Sequence, residues 1–206
     1  MTTEKQNGPN ADTKPQAFIL AGGKSLRFGA DKARVKYNTS TMLQEIAVSL
    51  EKAGFQISIS TSHKTHQSFG YPIAWDKGPF LGPLHALSGI LDGLKQDRIF
   101  LIACDTPLIK PDLARWLWQI SEGFDITILE DDLGNPSPLP GIYSHRILPT
   151  IRANLSKGEA SLKSLLRMDL KINIVPRMDW QPMDTSGQSL VNINTMEDLI
   201  DGSRRL

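Results

Sequence analysis

Two segments carry residue types that could act on a phosphorylated ligand. The first runs Leu20-Ala21-Gly22-Gly23-Lys24-Ser25-Leu26-Arg27-Phe28-Gly29-Ala30-Asp31-Lys32. Adjacent glycines directly after an apolar run allow positive φ and let backbone N–H groups approach a ligand closely. Lys24, Arg27 and Lys32 follow within nine residues. Exposed amides with nearby cations describe a polyphosphate cradle. The alternative is a solvated surface loop. Two better-known phosphate motifs are excluded. A P-loop needs a glycine where Phe18 stands, and the dinucleotide fingerprint needs its first two glycines separated, whereas Gly22 and Gly23 adjoin. The second segment is Cys104-Asp105-Thr106-Pro107, after the apolar run Ile99-Phe100-Leu101-Ile102-Ala103. An Asp at the carboxyl end of a central strand is placed to hold a hard cation beside phosphates. It could also cap the turn that Pro107 makes two residues later.

Other polar residues say less. Asp76, in Ile73-Ala74-Trp75-Asp76-Lys77-Gly78, reads on its own as a turn residue. His63 and His66 lie three apart, but a pair in a polar loop makes no metal site. Cys104 has no nearby His and reads as a buried thiol, not a nucleophile. Asn192 and Asn194 flank Ile193 and could cap a last helix, with Thr195 and Asp198 at capping spacing.

The elements that must position these residues follow from periodicity. Ala17 to Leu20 is a short apolar run stopped by glycines, a buried strand. Thr41 to Ala53 reads as a helix: Thr41 and Gln44 have capping-box spacing, Leu43, Ile46, Ala47 and Leu50 share a face, and Gly54 marks the stop. Phe55, Ile57 and Ile59 alternate as a strand. Pro83 opens a helix burying Leu84, Leu87, Leu91 and Leu94. Ile99 to Ala103 reads as a central parallel strand. Pro111 opens a helix with Leu113, Trp116, Leu117 and Ile120 inward. Ile126 to Leu129 is a strand. Weaker signals give a strand at Gly141 to Tyr143, helices near Ile147 to Ala153 and Leu162 to Leu166, a strand at Ile172 and Ile174, and a last helix from Thr195. Such alternation predicts an α/β fold, a Rossmann-like three-layer sandwich with a mostly parallel central sheet. Ligands then bind beyond the carboxyl ends of the strands. The loops after Leu20, Ile59 and Ala103 should converge.

Composition bounds the rest. The 206 residues carry 23 Lys+Arg against 22 Asp+Glu, a net charge of +1, which argues against nucleic-acid binding by bulk electrostatics. No apolar run reaches the ~20 residues that span a bilayer, so no membrane partner is expected. One cysteine excludes an intrachain disulfide and a Cys-based zinc site, and fits a reducing, cytoplasmic setting. Residues 1–16 are nearly free of apolar side chains and read as a disordered tail, leaving 17–206 as a single domain.

The glycine segment, with its Gly29-x-Asp31-Lys32 ending, resembles the signature of the molybdenum cofactor guanylyltransferases, nucleotidyltransferases of the nucleotide-diphospho-sugar transferase fold. Gly82-Pro83-Leu84, Cys104-Asp105-Thr106-Pro107 and Asn192-Ile193-Asn194-Thr195-x-Glu197-Asp198-Leu199 match that family in order. The resemblance implies transfer of GMP from GTP to the terminal phosphate of molybdopterin, with release of pyrophosphate. It implies Mg²⁺ on Asp105, phosphate binding by Arg27 and Lys32, and nucleotide contacts from Leu20, Ala21, Gly22, Gly23, Asp76 and Gly82. Asp76, a pure acceptor, would face the N–H edge of guanine. Ser62 stands where the family has a nucleotide-binding Asn. Asn192 and Asn194 fall on the pterin and phosphate side. Lys163 alone keeps charge where some relatives have paired arginines. The attacking phosphate is largely dianionic near neutral pH, so no general base is required. Partner proteins that deliver or receive the cofactor would make transient contact. The competing readings are CTP in place of GTP, a sugar or polyol phosphate as acceptor, and a catalytically silent cofactor-binding protein.

Overall fold

The computed structural model describes residues 14–23, 31–37, 39–76, 78, 81–195 and 197–198. Its centre is a seven-stranded sheet. β1 (Gln16–Leu20) is followed by a small antiparallel pair, β2 (Lys36–Tyr37) and β3 (Ser40–Thr41). α1 (Met42–Lys52) starts at Thr41, whose hydroxyl accepts from Gln44 N–H while Gln44 reaches back, a complete capping box. Then come β4 (Gln56–Thr61), β5 (Ile73–Trp75), α2 (Pro83–Asp92), β6 (Arg98–Ala103), α3 (Pro111–Ile120) and β7 (Ile126–Glu130). β8 (Pro136–Ser144), α4 (Leu148–Ser156), β9 (Ile172–Val175) and a single turn, α5 (Arg177–Trp180), complete the set.

The strand order is β5-β4-β1-β6-β8-β7-β9. β5, β4, β1 and β6 run parallel, β8 runs antiparallel to both β6 and β7, and β9 is parallel to β7. The Ile99–Ala103 strand, expected as a central parallel strand, is central and parallel to β1, with β8 antiparallel on its other side. Period-2 alternation feeds two cores. Ala17, Ile19, Phe100 and Ile102 face α1 and α3, while Phe18, Ile99 and Leu101 face α2 and α4. The result is the three-layer α/β sandwich, helices covering both sides of the sheet.

Three boundaries differ from expectation. The tail was set to end at Gln16, yet Gln16 opens β1 opposite Gln56, and Pro15 O accepts from Gln56 N. The chain therefore joins the sheet before the first apolar side chain, because backbone groups alone make that pairing; residues 1–13 lie outside the described residues. β8 begins five residues before Gly141, since its prolines hide a strand that bends at an irregularity between Ile128 and Leu129 of β7. Of the last helix only 197–198 are described. Its cap is nonetheless formed: Asp198 Oδ2 accepts from Asn194 N and Thr195 N, and Thr195 Oγ1 from Asp198 N.

Candidate active site

The chain leaves β1 toward β4 on one side of the sheet and reaches β6 on the other, so the loops after β1 and β6 diverge. That divergence opens a crevice at the carboxyl ends. A cavity of about 480 Å³ lies there. The expected loops after Leu20 and Ala103 meet at it, joined by the end of β5 and the first turn of α2; from the third strand only Ser60, still inside β4, reaches it.

Backbone hydrogen bonds fix its floor: Ala21 N donates to Ser60 O at 2.8 Å and Cys104 N to Leu20 O at 3.0 Å. Leu20, Ala21, Gly22 and Gly23 line the cavity. A Cβ at Gly22 would overlap the carboxylate of Asp76, whereas one at Gly23 would meet nothing within 4 Å among the described residues. Glycine at the first position thus permits a close approach across the cavity that a side chain would have to displace. Gly82, at φ +97°, begins α2 and also lines the wall; a Cβ there would stand 2.8 Å from Ala160 O.

On the β6 side three predicted residues meet. Lys32 Nζ lies 3.0 Å from Asp105 Oδ2 and 2.8 Å from Asn194 Oδ1. Asp105 O accepts from Ile193 N at 2.7 Å, which docks the Asn192–Asn194 stretch onto the strand end. Asn194 therefore does not cap the last helix with its side chain; Thr195 and Asp198 do. Asn192 is exposed, its Oδ1 3.5 Å from Thr106 Oγ1. Asp105 is only about one-fifth exposed. Cys104 lines the wall, and burial, with Asp105 beside it, pushes its thiol pKa up to about 12. It is no nucleophile.

On the β5 side Asp76 follows the strand, its N–H bonded to Thr61 O and its Oδ1 accepting from Ser60 Oγ at 2.7 Å. Burial raises its pKa above the ordinary carboxylate value, against the Ser60 hydrogen bond and the nearby His63. Ser62 was the expected counterpart of the family's Asn. It does not line the cavity, and Ser60 does, because β4 ends at Thr61 and the chain turns away at Ser62. Sequence reasoning missed Ser60, and also Asp31 and His85, both in the cavity wall. Only the Gly29-x-Asp31-Lys32 ending pointed to Asp31. Arg27 and Lys24 lie outside the described residues. No three His, Cys, Asp or Glu side chains gather into a metal cage among the described residues. Nor, among those residues, is any helix long and apolar enough to cross a membrane.

A doubly covered α/β sheet with a cavity at the carboxyl ends of its strands is a ligand-binding architecture that nucleotidyltransferases share with other α/β proteins. Residues 17–174 match the MobA-like NTP transferase domain, and the chain belongs to that family. Among curated relatives, the probable molybdenum cofactor guanylyltransferase of Carboxydothermus hydrogenoformans is 27% identical over 181 residues, covering 87% of this chain and 90% of that protein. The protein of the same name from Clostridium perfringens is 35% identical over 163 residues, covering 77% and 81%. The crystal structure of molybdopterin-guanine dinucleotide biosynthesis protein A from Archaeoglobus fulgidus shares the fold, with a TM-score of 0.78 over 92% of this chain and 97% of that one at 23% identity.

Proposed function

We propose that this enzyme transfers GMP from GTP to the terminal phosphate of molybdopterin, or of its molybdenum complex, and releases pyrophosphate in the cytoplasm. One observation carries the reading. Asp76 follows β5 and Asp105 follows β6, with β4 and β1 between them. Three strand spacings separate the two carboxylates by roughly 14 Å. That span suits a nucleotide lying across the strand ends, base at Asp76 and phosphates at Lys32. The names of the curated relatives support guanine as the base and molybdopterin as the acceptor.

The chain's own residues divide the work. Asp76 and Ser60 take the donor edge of the base, and a carboxylate that only accepts selects N–H groups there. Lys32 and Arg27 bind the triphosphate. Asn192 and Asn194 face the pterin phosphate. Transferring a phosphoryl group needs positioning and charge neutralisation more than acid–base chemistry. Mg²⁺ fits this donor set: Asp105 Oδ1 makes no hydrogen bond among the described residues. One carboxylate suffices, because the ion keeps waters and takes substrate oxygens. Bound there, it would neutralise charge on the transferred phosphoryl group. Proteins that deliver or receive the cofactor would meet the mouth of this cavity.

The test is pyrophosphate release from GTP, CTP and ATP with Mg²⁺, with and without molybdopterin. Release with GTP alone among the three, dependent on the pterin, is expected. Equal turnover of CTP would overturn the guanine assignment. In the same assay Asp105→Asn should lose about 10³-fold in rate while folding normally, because it keeps the shape but not the charge. If Asp105 only capped the following turn, Asn would serve as well.

A further inference from the structure

We propose that His66, which has no place in the cavity wall, is a positioning residue that holds Lys32 in register with the nucleotide phosphates. The inference rests on the reading above that Lys32 binds those phosphates. His66 sits fully buried in a 3-10 turn, Lys64–Phe69, beyond β4. Its Nε2 lies 2.7 Å from Asp31 Oδ2 and its Nδ1 2.8 Å from Thr61 Oγ1. The second carboxylate oxygen of Asp31 accepts from Ala33 N at 3.1 Å and so caps the turn Lys32–Arg34. A chain of hydrogen bonds thus runs from the end of β4, through the imidazole, to both sides of Lys32.

The proton positions follow from the neighbours. Thr61 has one hydroxyl proton, and its other acceptor within reach, Ala21 O, stands at 3.5 Å. The proton goes to Nδ1, the nearer acceptor. That leaves Nε2–H to donate to Asp31. Burial alone would raise the Asp31 pKa, but the hydrogen bonds from His66 and from the Ala33 N–H help bring it below the ordinary value. Both ring nitrogens are satisfied and the imidazole itself is fully buried, where such bonds are stronger than in water. Thr61 is also the residue after Ser60, whose carbonyl holds Ala21 N. The same strand end therefore anchors the chain on both sides of the loop: at Ala21, where the segment after β1 begins, and at Asp31, just before Lys32. A lysine is a compact point charge on a flexible stem, so its usefulness depends on where its backbone is held. A displacement of ~1 Å at such a group can change rate 10²-fold.

The test reads GTP·Mg²⁺ affinity by calorimetry and turnover by pyrophosphate release. His66→Phe keeps ring volume and loses both bonds. It should weaken affinity about 10-fold and slow turnover at least as much, as expected for loss of a hydrogen bond to a charged group. His66→Gln, whose side-chain amide can donate to Asp31, should return both to within about 3-fold of wild type. In a Lys32→Ala background, His66→Phe should change neither, because the residue it positions is gone. Should His66→Phe not fold, Asp31→Asn takes its place in the cycle with the same pattern expected. Equal losses for Phe and Gln in step with melting temperature, or a full further loss in the Lys32→Ala protein, would overturn the inference. A wild type that binds GTP but releases no pyrophosphate with molybdopterin sinks the proposed reaction, and the coupling is then decided by affinity. A wild type that binds no nucleotide sinks both.

Discussion

Gly22 and Gly23 look interchangeable in sequence, and their surroundings separate them. The missing Cβ of Gly22 is what lets Asp76 lean across the cavity floor, while a Cβ at Gly23 meets none of the described residues. Gly22→Ala should therefore displace the Asp76 carboxylate and weaken GTP binding by 10-fold or more, and Gly23→Ala should leave affinity within about 2-fold. Titration of both variants with GTP and Mg²⁺ checks this. Equal effects would mean that the glycines serve the turn and not the approach of Asp76. The same residues define how far sequence reading reached. Gly22, Lys32 and Asp105 were legible because glycine pairs and strand-end acids have chemical meaning at short range. Ser62 is the residue the sequence offers there and Ser60 is the one in the cavity wall, because where a strand ends depends on its neighbours. His66 was set aside as half of an unconvincing metal pair. Its partner, Asp31, is 35 residues away in sequence, a contact that no local pattern encodes.

Elements were legible where one period dominated. The Thr41 capping box, the buried face of α1 and the Pro83 and Pro111 helix starts stand as read. β8 was half read because prolines mask strand propensity, and its antiparallel direction could not be seen, since direction belongs to pairing. α5 was not read at all. A single turn has no period, although it buries Trp180, whose Nε1 donates to Glu130 O at 3.0 Å. One helix position is open to improvement. Gly89 lies inside α2, and a Cβ there meets nothing within 4 Å. Gly89→Ala should stabilise the protein by about 0.5–1 kcal/mol, through helix propensity and a less free unfolded chain. Chemical denaturation measures it. A lower midpoint would mean that the apparently open space beside α2 is needed. Gly89 lines a smaller cavity of about 280 Å³ that shares Ser60, Asp76, His85 and Ala86 with the first. GTP affinity of the same variant therefore reports whether the two spaces communicate.

At the scale of the whole molecule, the sheet works as a rigid rack that carries ligand groups on its carboxyl edge. The opposite edge holds it closed through contacts that carry no apolar signal. Gln96, just before β6, accepts from Gln16 N at 3.2 Å through Oε1 and donates to Lys14 O at 2.9 Å through Nε2. Pro15 O takes the amide of Gln56. Residues 14–16 thereby clamp the start of β1 between β4 and the turn into β6, and β1 is the strand on which both halves of the cavity depend. Composition placed these residues in the tail, because side chains advertise burial and backbone pairing does not. Two truncations separate the views. Removing residues 1–13 should leave the melting temperature within about 1–2 °C, since that stretch has almost no apolar side chains to bury. Removing 1–16 deletes these three hydrogen bonds together with the pairing of Gln16 in the sheet, each bond with a net value of about 0.5–1.5 kcal/mol at most when part-exposed. For a chain of this length, each kcal/mol is about 2–4 °C. The longer truncation should therefore melt several degrees lower, and Gln96→Ala in the full chain should reproduce part of the loss, because it removes two of those three bonds. Identical melting for both truncations would return residues 14–16 to the tail and show that β1 holds its place by its apolar side chains alone.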